Sequence, residues 1–132
     1  MRFSLTLAIA GAALLAAAPA SASSLSCPES IDGGINAAGS TDSFKFRYVS
    51  FFDGDPSEMA DLAPDDGPNP KVLEQSWQFK LSPGRPIYMV CRYHGTDETV
   101  KKEVPSDIKQ CKLSGLVNEQ GEVVGSPTLE CD

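Results

Sequence analysis

The strongest strand pattern in the chain runs Ile87-Tyr88-Met89-Val90-Cys91-Arg92-Tyr93. Successive side chains of a strand point to opposite faces of a sheet. Here both faces are apolar, because Tyr88 and Val90 lie on one and every second residue from Ile87 to Tyr93 lies on the other. A strand that is apolar on both faces is typical of the buried centre of a sheet. We therefore predict that this stretch is a central strand.

Weaker strand patterns precede this stretch. Residues 43–48 alternate aromatic and basic side chains, and the alternation breaks near Phe51 and Phe52, where we expect a bulge or a buried strand end. Residues 73–81 place Trp77 and its alternate neighbours on one face of a second strand. Residues 27–41 are rich in Gly, Ser and Asn and predict a connecting segment.

Strand patterns also follow it. Turn residues at 95–97, 105–107 and 118–121 separate three further strands, and Pro127 marks the last of them as an edge strand.

A short helix is predicted between the strand patterns over residues 43–52 and 73–81. Asp55 is a good N-cap, Pro56 suits the first helical position and Glu58 completes a capping box. Together these patterns predict a mainly β fold, a small antiparallel sheet or a partly open barrel or sandwich of about six strands with one short helix and two disulfides.

The N-terminus has the three parts of a secretory signal peptide. Arg2 precedes an apolar run over residues 3–18, and Ala20-Ser21-Ala22 matches the small-residue cleavage pattern. The apolar run is too short to span a bilayer. We predict cleavage after Ala22, with Ala20 as the second choice. Cleavage after Ala22 leaves residues 23–132 as a single domain in the periplasm, or secreted, with no membrane insertion after cleavage.

The composition restricts the classes of partner. The formal charge is −7, and it becomes one unit more negative when Arg2 is removed. Such a charge opposes binding to nucleic acid and to anionic lipid. It favours a cationic protein of the cell envelope as a partner, or it simply keeps a small periplasmic protein soluble, which is the commoner explanation. No pattern in the sequence predicts a cofactor, a metal or an oligomeric state.

Four cysteines remain in the predicted mature domain: Cys27, Cys91, Cys111 and Cys131. An even number in a small exported domain predicts two disulfides, and the spacing lacks the close pairs of a zinc site. Three pairings are possible. We favour Cys91 with Cys111 and Cys27 with Cys131, because the latter joins two strand-like chain ends, although Cys111 with Cys131 across a terminal hairpin also fits.

Several short motifs occur together in a recognisable order. They are Phe51-Phe52-Asp53-Gly54-Asp55-Pro56, Leu62-Ala63-Pro64-Asp65, Trp77, Cys91-Arg92-Tyr93, Cys111 and Cys131. This FFDGDP…LAPD…W…CRY…C…C pattern resembles a family of small uncharacterised four-cysteine periplasmic proteins of proteobacteria. The resemblance covers most of residues 27–131 and implies export and paired cysteines. It implies no activity and no functional residue.

The most conspicuous candidate site is an acidic stretch over residues 53–66. It contains six carboxylates and no basic residue: Asp53, Asp55, Glu58, Asp61, Asp65 and Asp66. A calcium loop beginning at Asp53 would need Gly at its sixth position and Glu at its twelfth. The chain has Glu58 and Pro64 at these positions, so the calcium-loop pattern is not met. The remaining interpretations are a docking surface for a cationic protein, a pair of catalytic carboxylates, or solvated loop residues with two capping roles.

Other candidate residues fit a structural role better. His94 is the only histidine, so any Ser-His-Asp or Cys-His mechanism would need it, but it stands beside Gly95 at a strand end, where we expect it to be exposed and idle. Trp77 and Tyr93 would line a groove if they were functional, and we expect both to belong to the core.

Two classes of function fit these observations. The first is a non-catalytic binding or inhibitory module that presents the acidic stretch to a partner, for example an inhibitor of a cationic cell-wall hydrolase. The second is a small carboxylate-dependent hydrolase or carbohydrate-active enzyme, which requires Asp53, Asp55 or Asp61 to converge on a cleft with a perturbed pKa. An accessory subunit of a cell-envelope complex differs from the first class only in its partner.

Overall fold

The fold consists of two antiparallel four-stranded sheets. A computed structural model describes residues 11–12, 24–35, 39, 41–80 and 84–132. The strands are β1 (Ser30–Ile35), β2 (Thr41–Asp53), β3 (Asp65–Asp66), β4 (Val72–Gln78), β5 (Ile87–Tyr93), β6 (Thr99–Glu103), β7 (Gln110–Val117) and β8 (Val123–Cys131). Sheet one has the order β1-β2-β5-β6, and sheet two has the order β3-β4-β7-β8. The predicted mainly β fold with two disulfides is confirmed.

Individual predictions meet different outcomes in this topology. β5 is central in sheet one, with five of its seven residues buried, and β8 with Pro127 is an edge strand, as predicted. The prediction of a connecting segment over residues 27–41 is wrong, because β1 pairs with β2 there. The short helix is a single 3₁₀ turn, Pro56–Glu58. The predicted signal peptide, residues 1–22, lies almost entirely outside the described residues.

A β-bulge interrupts β2 at Arg47. Phe46 pairs with Tyr93 of β5 and Tyr48 pairs with Arg92, so Arg47 is an extra residue without an opposite partner. The bulge reverses the alternation of the strand, because Phe46 before it and Val49 after it both point into the core. Pairing with β5 continues without a register shift through Phe51 and Phe52, so the expectation of a bulge there is wrong. The alternative expectation, a buried strand end, is confirmed, because Phe51 is buried and β2 ends at Asp53.

Aromatic residues hold the two sheets together. The Phe51 ring of sheet one lies 4.9 Å from the ring of Trp77 and 4.9 Å from that of Phe79, centroid to centroid. All three side chains are buried. Trp77 Nε1 donates to the Leu62 carbonyl at 3.1 Å, and the Tyr93 hydroxyl donates to the Pro28 carbonyl at 2.9 Å. The prediction that Trp77 and Tyr93 belong to the core is confirmed.

The disulfides join Cys27 to Cys91 and Cys111 to Cys131. The favoured pairing of Cys91 with Cys111 and Cys27 with Cys131 is therefore wrong. Cys91 lies in sheet one and Cys111 in sheet two, whereas Cys131 lies directly opposite Cys111 on the neighbouring strand. Cys27 precedes β1 and contacts β5, so its segment does not pair with the end of β8.

A second irregularity shapes the β7–β8 hairpin. Ser114 pairs with Thr128 and Leu116 pairs with Val124, so the single residue Gly115 faces three residues of β8, 125–127. Gly125 has a φ of +69°. Glycine adopts this conformation readily, whereas a residue with a side chain is destabilised in it. The bulge turns the Gly125 carbonyl toward His94 of sheet one, whose Nε2 lies 3.1 Å away.

Candidate functional site

The acidic stretch divides into two groups in space. Arg85, which is distant in sequence, binds two of its carboxylates: Arg85 Nε lies 3.2 Å from Asp53 Oδ1, and Arg85 Nη2 lies 3.3 Å from Glu58 Oε2. Glu58 therefore pairs with Arg85 and does not complete the predicted capping box. Arg85 therefore offsets part of the negative charge of Asp53 and Glu58. These two residues attract a cationic partner less than their number of carboxylates suggests.

Asp55 also has partners within the chain. Its Oδ1 accepts a hydrogen bond from the Ser57 amide at 2.9 Å, which confirms its capping role, and its Oδ2 lies 4.0 Å from Lys101 Nζ. The hydrogen bond from the Ser57 amide, more than the nearby Lys101 charge, lowers the pKa of Asp55 below its ordinary value. A lowered pKa is the opposite of what a general acid needs.

The remaining three carboxylates form the second group. Asp65 and Asp66 make up β3, the exposed edge of sheet two, and Asp61 is exposed beside Phe52. The structure gives Asp61 and Asp65 no ion pair within the described part of the chain. Asp66 Oδ1 accepts from Gln75 Nε2 at 3.0 Å. Asp61, Asp65 and Asp66 are therefore the part of the stretch whose charge is available to a partner.

The hydrolase hypothesis requires Asp53, Asp55 or Asp61 to converge on a cleft. Asp53, Asp55 and Asp61 line none of the four cavities described for this chain. Asp66 lines one of about 440 Å³ whose wall also contains Glu74, and Glu74 Oε1 is paired with Lys112 Nζ at 3.0 Å. Among the described residues, no three His, Cys, Asp or Glu side chains are placed to hold a metal ion. The convergence of Asp53, Asp55 and Asp61 that this hypothesis requires is therefore not seen at any of these four cavities.

A different set of residues surrounds two cavities at one end of the sandwich. The smaller cavity, about 310 Å³, is lined by Arg47, Tyr48, His94, Glu122 and Val123. The larger cavity, about 480 Å³, shares Arg47 and His94 and is otherwise lined by Tyr93, Gly95, Thr96 and Asp97. The prediction that His94 is exposed is wrong, because it is half-buried and its Nε2 lies 3.1 Å from the Gly125 carbonyl oxygen.

An exposed apolar pair lies near the same end. Leu116 is 66% exposed and Val124 is 51% exposed, and they stand directly opposite each other on β7 and β8. Their neighbours Val117 and Val123 pair one step further along, and Val123 lines the smaller cavity. Large apolar side chains that remain exposed side by side are a common feature of interaction surfaces.

Comparison with known proteins assigns the chain to a family. The family model described as the type VI secretion system Tli immunity protein matches residues 41–132. The chain belongs to this family. The match begins at the first residue of β2 and runs to Asp132, so it contains β2 to β8 and the Cys111–Cys131 disulfide and leaves out β1 and Cys27.

One curated relative is similar to this Tli family member over most of its length. It is an uncharacterized 16.3 kDa protein in the trpG 5′ region of Azospirillum brasilense. The two sequences are 26% identical over an alignment of 131 residues, gaps included, and the alignment covers 84% of this chain and 84% of the relative. No solved structure gives a significant match. Within the described residues of this Tli family member, no helix has the length and apolar character needed to cross a membrane.

Sequence reasoning missed the basic and aromatic residues of the cavity end. Arg47 was visible only as part of an alternating strand, and the bulge that sets it apart depends on a register with β5 that local sequence does not show. The one available signal was His94 beside Gly95, since a lone histidine at a strand end was already a candidate residue. The similarity to the four-cysteine periplasmic family remains a prediction beside the assignment to the Tli family.

Proposed function

We propose that this Tli family member is an immunity protein that binds and neutralises a protein effector of a type VI secretion system. The observation that supports this most strongly is the family match over residues 41–132, which covers seven of the eight strands. The fold supports it too, because two disulfides and a shared aromatic core make a rigid scaffold whose surface is fixed before a partner binds. The proposed action is stoichiometric binding without chemistry.

We place the protein in the periplasm, after removal of residues 1–22. The support is the leader pattern ending in Ala20-Ser21-Ala22 and the pairing of all four cysteines, since disulfides persist in oxidising compartments. N-terminal sequencing of protein purified from a periplasmic fraction should give Ser23 as the first residue. An intact Met1 in that fraction would contradict the proposal.

We further propose that Asp61, Asp65 and Asp66 contact a cationic surface of the effector. These residues are exposed on and beside the edge strand β3, and Arg85 and Lys101 are engaged by the other carboxylates of the stretch. Rim charges of this kind speed association and make binding depend on salt.

The test measures binding of the oxidised mature protein to each type VI effector encoded by the same genome, by calorimetry at low and high salt. The variant Asp61→Asn/Asp65→Asn/Asp66→Asn should bind the cognate effector more weakly at low salt and lose most of its salt dependence. Asp53→Asn/Asp55→Asn/Glu58→Gln is the matched control, because it removes the same number of negative charges from the other group of the acidic stretch. Equal losses in both variants would reject a local contact, and no binding to any effector would reject the immunity function.

A further inference from the structure

Arg47 is presented in an unusual way for a residue of a paired strand. The structure describes two other arginines, and both are engaged within the chain, Arg85 with Asp53 and Glu58 and Arg92 Nε with Ser50 Oγ at 3.2 Å. Arg47 is exposed and has neither an ion pair nor a side-chain hydrogen bond among the described residues. Bulges commonly re-aim a side chain, and this one sets Arg47 apart from the pairing of its strand.

The surroundings of Arg47 are concave and held in place. Arg47 and His94 both line the cavity of about 310 Å³ and the cavity of about 480 Å³, so they stand where the two meet. His94 is fixed at both ends: its amide donates to the Lys45 carbonyl at 2.9 Å, and its Nε2 lies 3.1 Å from the Gly125 carbonyl. Tyr48, in the wall of the smaller cavity, is held by a hydrogen bond from its hydroxyl to Gln75 of sheet two.

The charges around Arg47 define the ligand it accepts. Glu122 lines the smaller cavity and Asp97 the larger one, yet neither makes an ion pair with Arg47. A guanidinium without a partner binds a carboxylate through two parallel hydrogen bonds. The flanking Glu122 and Asp97, and the net charge of −7, disfavour ligands with several negative charges such as nucleic acid. A single carboxylate group matches this pattern of charge.

One wall of the smaller cavity is apolar. Val123 of the β7–β8 hairpin lines it, whereas the exposed pair Leu116 and Val124 lies one step along on the opposite face of sheet two. Arginine and tyrosine are among the residues that contribute most to protein interfaces.

We propose that Arg47 anchors the effector by receiving one Asp or Glu side chain of an exposed effector segment, with Val123 packing beside that contact. This inference rests on the proposed function for the identity of the partner. The site itself is defined by Arg47, His94, Tyr48 and the hairpin. None of these residues belongs to the acidic stretch, although Gln75 hydrogen-bonds to both Tyr48 and Asp66.

The first experiment tests the site without the effector. The mature protein is titrated with the α-methylamide of N-acetylglutamate, which carries one side-chain carboxylate, while the Arg47 Nε–Hε signal and the His94 ring signals are followed by NMR. We expect saturable shifts at both residues, and none with the matching N-acetylglutamine compound. Absence of saturable shifts with the carboxylate probe, or equal shifts with both probes, would overturn the inference.

The second experiment uses the cognate effector. Arg47→Ala should weaken binding about 30-fold or more, the loss expected at an interface hot spot, and Arg47→Lys should restore only part of it because an ammonium cannot bind both oxygens in parallel. Lys45→Ala is the control, since it removes a charge two residues away on the same strand. Unchanged affinity in Arg47→Ala would overturn the inference. Probe binding without any effector binding would overturn the proposed function and leave the carboxylate site standing.

Discussion

Single residues decide how much of the acidic stretch reaches a partner. Arg85 and Lys101 lie far from residues 53–66 in the sequence, yet they stand beside Asp53, Asp55 and Glu58 in the fold. These pairs are about half exposed, so water competes with them and they neutralise charge more than they stabilise the fold. A count of charges along the sequence therefore overstates the acidic surface, because the compensating cations arrive only through tertiary structure.

Tyr48 and Tyr93 make the stability of the fold depend on alkaline pH. Burial is the largest effect at both residues and raises both pKa values above the ordinary value, so the neutral hydroxyl is favoured in the folded state. A raised folded pKa means that this contribution is intact below about pH 10 and is lost as the pH rises through the folded pKa. We expect the free energy of unfolding to fall above about pH 10.

The variant Tyr48→Phe/Tyr93→Phe tests this dependence. Neither phenylalanine titrates, so urea unfolding between pH 8 and pH 11 should show a shallower alkaline decline than in the parent. At pH 8 the variant should lose about 1 kcal/mol for each hydroxyl hydrogen bond that is removed, to Gln75 and to the Pro28 carbonyl. Parallel pH profiles for the two proteins would contradict the assignment.

At the scale of elements, the β7–β8 hairpin depends on the close approach of two backbones. A Cβ at Gly115 would lie 3.1 Å from Pro127 Cβ and 3.3 Å from Pro127 Cα, and Pro127 is buried. The proline ring is rigid, so Gly115→Ala should lower the free energy of unfolding by about 1–3 kcal/mol, the usual cost of overpacking. Thermal or urea unfolding measures the loss.

A second substitution identifies the cause of that loss. Pro127→Gly removes the Cβ that the new methyl group would meet, so Gly115→Ala should cost clearly less when it is introduced into Pro127→Gly than into the parent. The same cost in both backgrounds would show that the close approach to Pro127 is not responsible.

The sequence predicts elements well where side chains determine them and poorly where pairing does. β5 and the edge position of β8 follow from apolar alternation and from Pro127, which are local signals. β1 has the sequence Ser-Ile-Asp-Gly-Gly-Ile, whose composition is that of a loop, and it is a strand because β2 offers it a free edge. The bulge at Arg47, and with it the proposed anchor, is likewise a property of the register between two strands.

At the scale of the whole molecule, the two disulfides close loops of different length. The sequence separation is 64 for Cys27–Cys91 and 20 for Cys111–Cys131. In the chain-entropy model, these loops contribute about 4 and about 3 kcal/mol by restricting the unfolded chain. Their sum is comparable with the total stability of a small domain, about 5–15 kcal/mol, so reduction should bring the fold close to unfolding.

Paired alanine variants separate the two contributions. Cys27→Ala/Cys91→Ala should lower the free energy of unfolding more than Cys111→Ala/Cys131→Ala does, by about 1 kcal/mol, in urea titrations under oxidising conditions. Peptide mapping without reduction checks the pairing itself and should recover Cys27 linked to Cys91. A larger loss from the Cys111/Cys131 variant would show that strand geometry outweighs loop length.

The order of the cysteines along the chain has a consequence for biogenesis. The cysteines are bonded in consecutive pairs, first with second and third with fourth, so the two covalent loops follow one another and never interleave. In a chain that enters an oxidising compartment N-terminus first, Cys27 can therefore bond to Cys91 before Cys111 and Cys131 arrive. An oxidase that acts in order of emergence would produce the native pattern directly, so we expect that maturation does not require a disulfide isomerase.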